Sequence, residues 1–276
     1  MTIPTTLLSS GHEMPLLGLG TWPLDDHASA RAVAGAIGLG YRLIDTASRY
    51  ENEIGVGQGI AASGVDRADL FVTSKLRGAD QGYDATRDAL RGSLDRLGLD
   101  YVDLYLIHWP LPRLDRYVES YRAMIDLAAE GLIRSVGVSN FREHHLDRLI
   151  AETSHVPAVN QIQLSPALAR TGLRRFLTER GITVEGWSPL GQEEGVLDEP
   201  VIQAIATAHG RTVGQVVLRW HVQQGIITIP KSARPERQRA NAEIFDFELT
   251  DDDMTQIASL DRGEDAARDS DEHEEF

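Results

Sequence analysis

Short apolar runs recur along this chain at nearly even spacing, and that rhythm limits the possible folds more than any other feature. The runs begin near Leu16, Leu43, Leu70, Val102, Ile133, Ala158, Thr183 and Ile226. Their mean separation is about 30 residues, the length of one strand–helix unit. Amphipathic stretches fill most of the intervals: Ala28–Leu39, Asp84–Leu97, Tyr117–Ala129, Glu143–Ala151, Leu173–Glu179, Val201–Ala208 and Val213–Gln223. In the second of these, Ala85, Ala89, Leu90, Leu94 and Leu97 follow the spacing expected of a buried stripe. Gly40, Gly98, Gly131 and Gly181 stand just before strands, where the end of a helix calls for positive φ.

Eight strands alternating with helices predict an α/β chain folded as a single (β/α)8 TIM barrel rather than an open sheet. The glycine pattern agrees. After Gly18 and Gly20 the third position of a dinucleotide fingerprint is Pro23, and Gly55, Gly57 and Gly59 are followed by Ile60 where that fingerprint needs glycine. Thr5–Leu8 and Met14–Leu17 flank a Ser10-Gly11-His12 turn and predict an N-terminal β-hairpin. No linker is visible. The expected organisation is one barrel over 1–265 and a short acidic tail over 266–276.

Charge and composition exclude several functions. The net charge is −15, with 27 basic and 42 acidic residues. Counterion release on nucleic acid needs a basic patch, so no nucleic-acid partner is expected. No apolar run approaches the roughly 20 residues of a membrane span. The start has no secretory pattern and the chain has no cysteine. A thiol nucleophile and thiolate metal sites are thus excluded, no metal site is expected, and the reading is a cytoplasmic monomer. From Asp261 to Phe276 eight acidic residues face only Arg262 and Arg268, so the tail is expected to be solvated and mobile.

In a barrel of this type the chemistry stands at the C-terminal ends of the strands. In chain order those ends carry Gly20-Thr21-Trp22, Asp45, Ser74-Lys75, His108-Trp109, Ser139-Asn140, Asn160, Gln161 and Gln163, Trp187-Ser188, and Pro230-Lys231-Ser232. Three of the four tryptophans are among them, which suits a cleft that stacks a flat ligand. Asp45, Lys75 and His108 close three neighbouring strands. An ammonium emerging from the apolar run at Leu70 needs a partner, and Asp45 is the nearest candidate. Taken alone that pair could be a structural salt bridge. Tyr50, five residues beyond Asp45 in a loop able to fold over the mouth, adds chemistry. A free phenol is a weak acid near neutrality, with a pKa of about 10. An adjacent Lys75 ammonium is expected to lower that value. Near the last strand Lys231, Ser232, Arg234, Arg237, Arg239 and Asn241 surround a helix start at Pro235, which predicts an anion site.

With these residues in view, the chain resembles the aldo-keto reductase superfamily over nearly its whole length. Gly40-Tyr-Arg-Leu-Ile-Asp45-Thr-Ala-Ser-Arg-Tyr50-Glu-Asn-Glu-Ile-Gly55 looks like the family's first signature, and Ile229-Pro-Lys231-Ser232 like its cofactor signature. Within the superfamily it looks most like the prokaryotic 2,5-diketo-D-gluconate reductase group. The resemblance implies a catalytic tetrad of Asp45, Tyr50, Lys75 and His108, and NADPH extended across the rim. Trp187 would stack on the nicotinamide, with Asn140, Gln161 and Ser139 at its carboxamide. Ser188, Leu190 and Gly191 would line the pyrophosphate, and Gly20, Thr21 and Asp45 would complete the inner contacts. Lys231, Ser232, Arg234 and Arg237 would grip the 2′-phosphate, and Asn241 would meet the adenine. Ala240 departs from the glutamate many relatives carry. Trp22, Tyr50, His108 and Trp109 would line the substrate side, for small aldehydes, 2-oxoaldehydes or keto sugars. The short acidic tail implies an open pocket. Two other readings remain at this point: a lyase forming a Schiff base on Lys75, and a non-catalytic NADPH-binding sensor.

Overall fold

A computed structural model describes residues 3–191 and 193–275. The chain opens with an antiparallel hairpin, β1 (Thr5–Leu7) and β2 (Glu13–Pro15), in which Thr6 faces Met14. Eight parallel strands follow: β3 (Gly18–Gly20), β4 (Leu43–Asp45), β5 (Phe71–Leu76), β6 (Val102–Ile107), β7 (Ile133–Ser139), β8 (Val159–Gln163), β9 (Thr183–Trp187) and β10 (Ile227–Thr228). They pair in sequence order. Isolated bridges Leu17–Thr228 and Gly20–Lys231 join the last strand to the first and close the barrel. The fold is the (β/α)8 barrel, with the hairpin in front of it.

The helices are α1 (Asp26–Gly38), α2 (Glu53–Ser63), α3 (Tyr83–Leu97), α4 (Tyr117–Ala129), α5 (Glu143–Thr153), α6 (Thr171–Glu179), α7 (Pro200–His209), α8 (Val213–Gln223), α9 (Pro235–Ala242) and α10 (Asp251–Ala258). None is long and apolar enough to cross a membrane. Gly40, Gly98, Gly131 and Gly181 all take positive φ, between 66° and 102°. Each reverses the chain between a helix and the strand after it.

Helix α2 was not expected, because glycines normally weaken a helix. Here they set its depth. A Cβ on Gly55 would strike the Asp26 backbone, and one on Gly57 would strike the Leu97 backbone. At Gly59 the obstacle is the Ala30 carbonyl, 2.6 Å away. The missing side chains let α2 lie directly against the start of α1 and the end of α3. That draws the α2 N-terminus, and the Tyr50 loop before it, in over the mouth.

The apolar interior has two parts. One lies between strands and helices, built from residues such as Ile44, Val72, Tyr105, Leu146 and Val217. The other fills the lower lumen, where Leu8 and Met14 of the hairpin segment pack with Leu43, Phe71, Leu104 and Ile227. The hairpin therefore plugs the N-terminal end of the barrel, and the opposite end is left to the polar residues.

The tail departs from the expectation of a free, solvated segment. Ser270 and Glu275 are buried, and the chain between them crosses the rim. Asp271 faces Arg142, His144 and His145, each at 2.9 Å. Glu274 meets Arg113 at 2.9 Å, and His273 stacks on Trp109 with ring centroids 4.0 Å apart. The net negative charge that suggested repulsion into solvent is answered locally by arginines and histidines of the rim.

Candidate active site

Strand alternation brings the central residues together. Leu43 and Asp45 lie on the same face of β4, as do Phe71, Thr73 and Lys75 on β5, so each strand starts apolar in the lumen and ends polar. Lys75 is fully buried and uses all three of its N–H groups. It donates to Asp45 Oδ1 at 2.7 Å, to the Thr46 carbonyl at 3.0 Å and to the Tyr50 hydroxyl at 3.2 Å. The other carboxylate oxygen of Asp45 accepts from Gln161 Nε2 at 2.8 Å, which also donates to Glu185 Oε2 at 2.8 Å. One polar chain thus runs Tyr50–Lys75–Asp45–Gln161–Glu185 through the upper lumen.

The Tyr50 loop is held from both sides. Ser48–Tyr50 form one turn of 3₁₀ helix, and the Ser48 hydroxyl donates to the Lys75 carbonyl at 3.0 Å. Buried Asn52 accepts from the Thr46 hydroxyl at 2.7 Å and donates to the carbonyls of Thr21 at 3.3 Å and Leu24 at 2.8 Å. Thr21 in turn donates through its hydroxyl to the Asp45 carbonyl at 3.0 Å. The ring of Tyr50 lies edge-on to His108, centroids 5.7 Å apart, and tilted against Trp22 at 5.2 Å. Trp22 is 56% exposed and walls the mouth. Trp109 is 5% exposed and lies under His273, so the tail stands between it and solvent.

Burial corrects one expectation. Withdrawal of the phenol from water raises the Tyr50 pKa to about 12; Lys75 pulls it down, and Asp45 pushes it back up. The carboxylate partner of the ammonium works against it as seen from Tyr50, and burial outweighs the pull of Lys75. Burial alone would lower the Lys75 ammonium, but Asp45 and Tyr50 reverse this and hold it above its ordinary value. An amine kept charged, with every N–H engaged, has no lone pair for attack on a carbonyl. The Schiff-base reading fails on that ground.

Glu185 was missed from the sequence. Burial first, then the neighbouring Asp45, raises its carboxyl to about 8, against smaller opposing effects of Gln161 and Lys75. Its Oε1 has no hydrogen-bond partner among the described residues. The available signal was parity: Glu185 stands two residues before Trp187 in β9 and so faces the lumen with it.

The rim beside this cluster is a connected polar surface. Ser139 donates through Oγ to the Gln161 carbonyl at 2.8 Å. Asn140, at φ 63°, donates to the His108 carbonyl and to Ser139 Oγ, both at 3.0 Å. The indole of Trp187 donates to Asn140 Oδ1 at 2.9 Å, which fixes the ring plane. Ser188 is exposed, Leu190 half-buried and Gly191 buried, with positive φ at Ser188 and Gly191. Gly20 leaves room for the last strand, since a Cβ there would sit 2.7 Å from the Ile229 carbonyl.

Lys231, Arg234 and Arg237 are exposed around the start of α9, and among the described residues none of them makes an ion pair. Ser232 Oγ accepts from the Arg234 amide at 3.1 Å. Asn241 is half-buried at the far end of that helix. Unpaired cations at a helix N-terminus in an acidic chain fit the phosphates of a nucleotide.

His144, His145 and Asp271 lie close enough together to suggest metal ligands. The tautomer argues otherwise. His145 Nδ1 accepts from the Arg142 amide at 3.2 Å, so its Nε2 carries the proton and has no lone pair for a metal, and it is His144 Nε2 that hydrogen-bonds Asp271 at 2.9 Å. The trio is a clasp for the tail.

A closed parallel barrel that brings a carboxylate, an ammonium and a phenol into hydrogen-bond contact at its mouth, beside exposed cations suited to an anionic ligand, fits an enzyme that uses a phosphate-bearing cofactor. Comparison with known proteins gives the particular kind. The Aldo/keto reductase family model matches residues 16–262. The chain is 50% identical to 2,5-diketo-D-gluconic acid reductase B of Corynebacterium sp. and 44% identical to methylglyoxal reductase DkgA of Escherichia coli, over 99% of each chain in both cases. A solved structure of a Gox0644 mutant in complex with NADPH matches with TM-score 0.90 and 43% identity over 94% of each chain. The chain belongs to the aldo/keto reductase family and is an NADP-dependent oxidoreductase.

Proposed function

We propose that this protein reduces small aldehydes, 2-oxoaldehydes or keto sugars to alcohols, with Tyr50 giving the proton. The names of its relatives, a diketogluconic acid reductase and a methylglyoxal reductase, support that substrate range. NADPH supplies the hydride. Trp187, Asn140, Ser139 and Gln161 would hold its nicotinamide end. Ser188, Leu190 and Gly191 would hold its pyrophosphate, and Lys231, Ser232, Arg234, Arg237 and Asn241 its adenosine end.

One observation carries the mechanism. Lys75 donates into the Tyr50 oxygen, so the phenolic hydrogen is left to point away from the lumen. The carbonyl oxygen of a substrate resting between Tyr50 and His108 would accept that hydrogen. As negative charge grows on that oxygen the proton passes to it, and the Lys75 ammonium stabilises the tyrosinate left behind. A phenol near 12 still protonates an alkoxide, which is a far stronger base. Asp45 keeps Lys75 charged and aimed, and Gln161 keeps Asp45 in place. Bulk water is kept from the exchange by Trp22 and by the tail.

A panel of neutral carbonyl compounds assayed in parallel with NADPH and NADH tests the reading. Turnover should be at least about tenfold more efficient with NADPH, since a 2′-phosphate among cations is worth a charge-assisted contact. Arg237→Ala should remove most of that preference. Tight NADPH binding without turnover of any carbonyl would favour the sensor reading instead.

A further inference from the structure

The tail places one carboxylate where the chemistry is. Glu275 is 9% exposed, and its Oε1 lies 2.7 Å from His108 Nδ1, in contact with the ring nitrogen but without an aligned hydrogen bond to it. Its Oε2 is buried and has no hydrogen-bond partner among the described residues. The approach is built in. The Glu275 carbonyl passes so close over Gly78 that a Cβ there would collide with it. The segment leading to it is fixed at several points. The Arg268 amide donates to Gln163 Oε1 at 3.1 Å, Asp271 sits in its Arg–His–His clasp, and His273 rests on Trp109.

This matters because His108 is the group beside which a substrate carbonyl oxygen would rest. A carboxylate carried two or three bonds from the reacting carbon would come within a few ångströms of the Glu275 charge. In a cleft partly withdrawn from water such like-charge approach is weakly screened. The nearby cations do not relieve it. Lys75 faces Asp45, Arg113 faces Glu274, Arg142 faces Asp269 and Asp271, and Arg268 faces Glu193. A neutral substrate meets the opposite situation: a hydroxyl or a hydrated carbonyl can donate to the unpartnered Oε2, which otherwise stays unsatisfied.

We propose that Glu275 is a specificity-determining residue that turns away carbonyl compounds bearing a carboxylate near the reacting carbon and admits neutral ones. The inference rests on the reductase reading and narrows its substrate class. It follows from the contact of Glu275 with His108, and not from the overall charge of the tail.

The test compares butanal with 4-oxobutanoate, an uncharged and an anionic aldehyde of the same chain length, using NADPH and the full chain. Turnover of butanal by the unsubstituted protein checks the reductase reading separately, and its absence would overturn that reading and this inference with it. Given that turnover, Glu275→Gln keeps the shape and removes the charge. It should raise the ratio of kcat/KM for 4-oxobutanoate to that for butanal by about tenfold, mainly through KM. Glu274→Gln removes the same charge from the exposed neighbouring position and should leave the ratio unchanged. An unchanged ratio in Glu275→Gln, or an equal rise in Glu274→Gln, would overturn the role of Glu275.

Discussion

The two ends of the barrel lumen are made from the same strands and obey opposite rules. At the lower end Leu43, Phe71, Leu104 and Ile227 meet Leu8 and Met14 of the hairpin segment, with no charge among them. Two residues further along the same faces stand Asp45 and Thr73, and two residues beyond Thr73 stands Lys75, while β9 contributes Glu185. There a carboxylate, an ammonium, an amide and a second carboxyl are buried together. The lower end gains stability from apolar burial and can tolerate little change in volume. The upper end holds groups whose removal from water is unfavourable, and it persists because each has a partner. Stability is supplied at one end and chemistry at the other, in a single continuous lumen.

That division can be broken first at the top. Lys75→Met removes the ammonium and leaves Asp45 buried without its main partner. Unfolding free energy should fall by about 3–5 kcal/mol, and reductase turnover should be lost with it. A variant of unchanged stability would mean that the upper lumen is already wet and the pair is not needed to hold it. Chemical denaturation followed by two optical probes measures this.

At the bottom the change should be purely structural. Leu104 is fully buried, and Leu104→Ala should cost about 2–5 kcal/mol of stability. At a temperature where the variant is folded, kcat and the KM values should stay within about twofold of the parent. A large fall in kcat would show that the two ends are mechanically coupled and that the division drawn above is wrong.

The smallest effect is one of pH. Glu185 has an ordinary value of 4.5 and is raised to about 8 in the fold, chiefly by burial. Between those values the native state holds a proton that the unfolded chain has released. The contribution of the group is therefore complete below about pH 4.5 and lost as pH rises through about 8. Glu185→Gln keeps the neutral shape at every pH. The parent should lose stability relative to this variant, by at least about 1 kcal/mol, between about pH 5 and pH 9. Parallel stability curves over that range would place the ionised form of Glu185 comfortably inside the lumen.

The comparison also explains how much could be read from the sequence. The barrel was legible because its lower half is apolar and periodic: strand starts expected at Leu43, Val102, Ile133 and Thr183 are where β4, β6, β7 and β9 begin. Asp45, Lys75 and His108 were legible because charged or polar groups ended apolar runs, which locates them on the rim without any distance. What failed depended on partners. α2 was hidden because its glycines look weak until the backbones of Asp26 and Leu97 are seen against them. The tail looked solvated because its carboxylates find their cations more than a hundred residues away, at Arg142 and Arg113. The shift of Tyr50 had the wrong sign because the ammonium was counted and its carboxylate partner and the loss of water were not.

The phenolic oxygen of Tyr50 is the centre of the proposed chemistry. Tyr50→Phe removes that oxygen and keeps the ring between Trp22 and His108, so NADPH binding, followed by protein fluorescence, should stay close to the parent. Turnover of a neutral aldehyde by the NADPH-saturated variant should fall by roughly a thousandfold, within the range for loss of a positioned acid. Turnover within a few-fold of the parent, with the cofactor bound as before, would contradict the assignment of the proton to this residue.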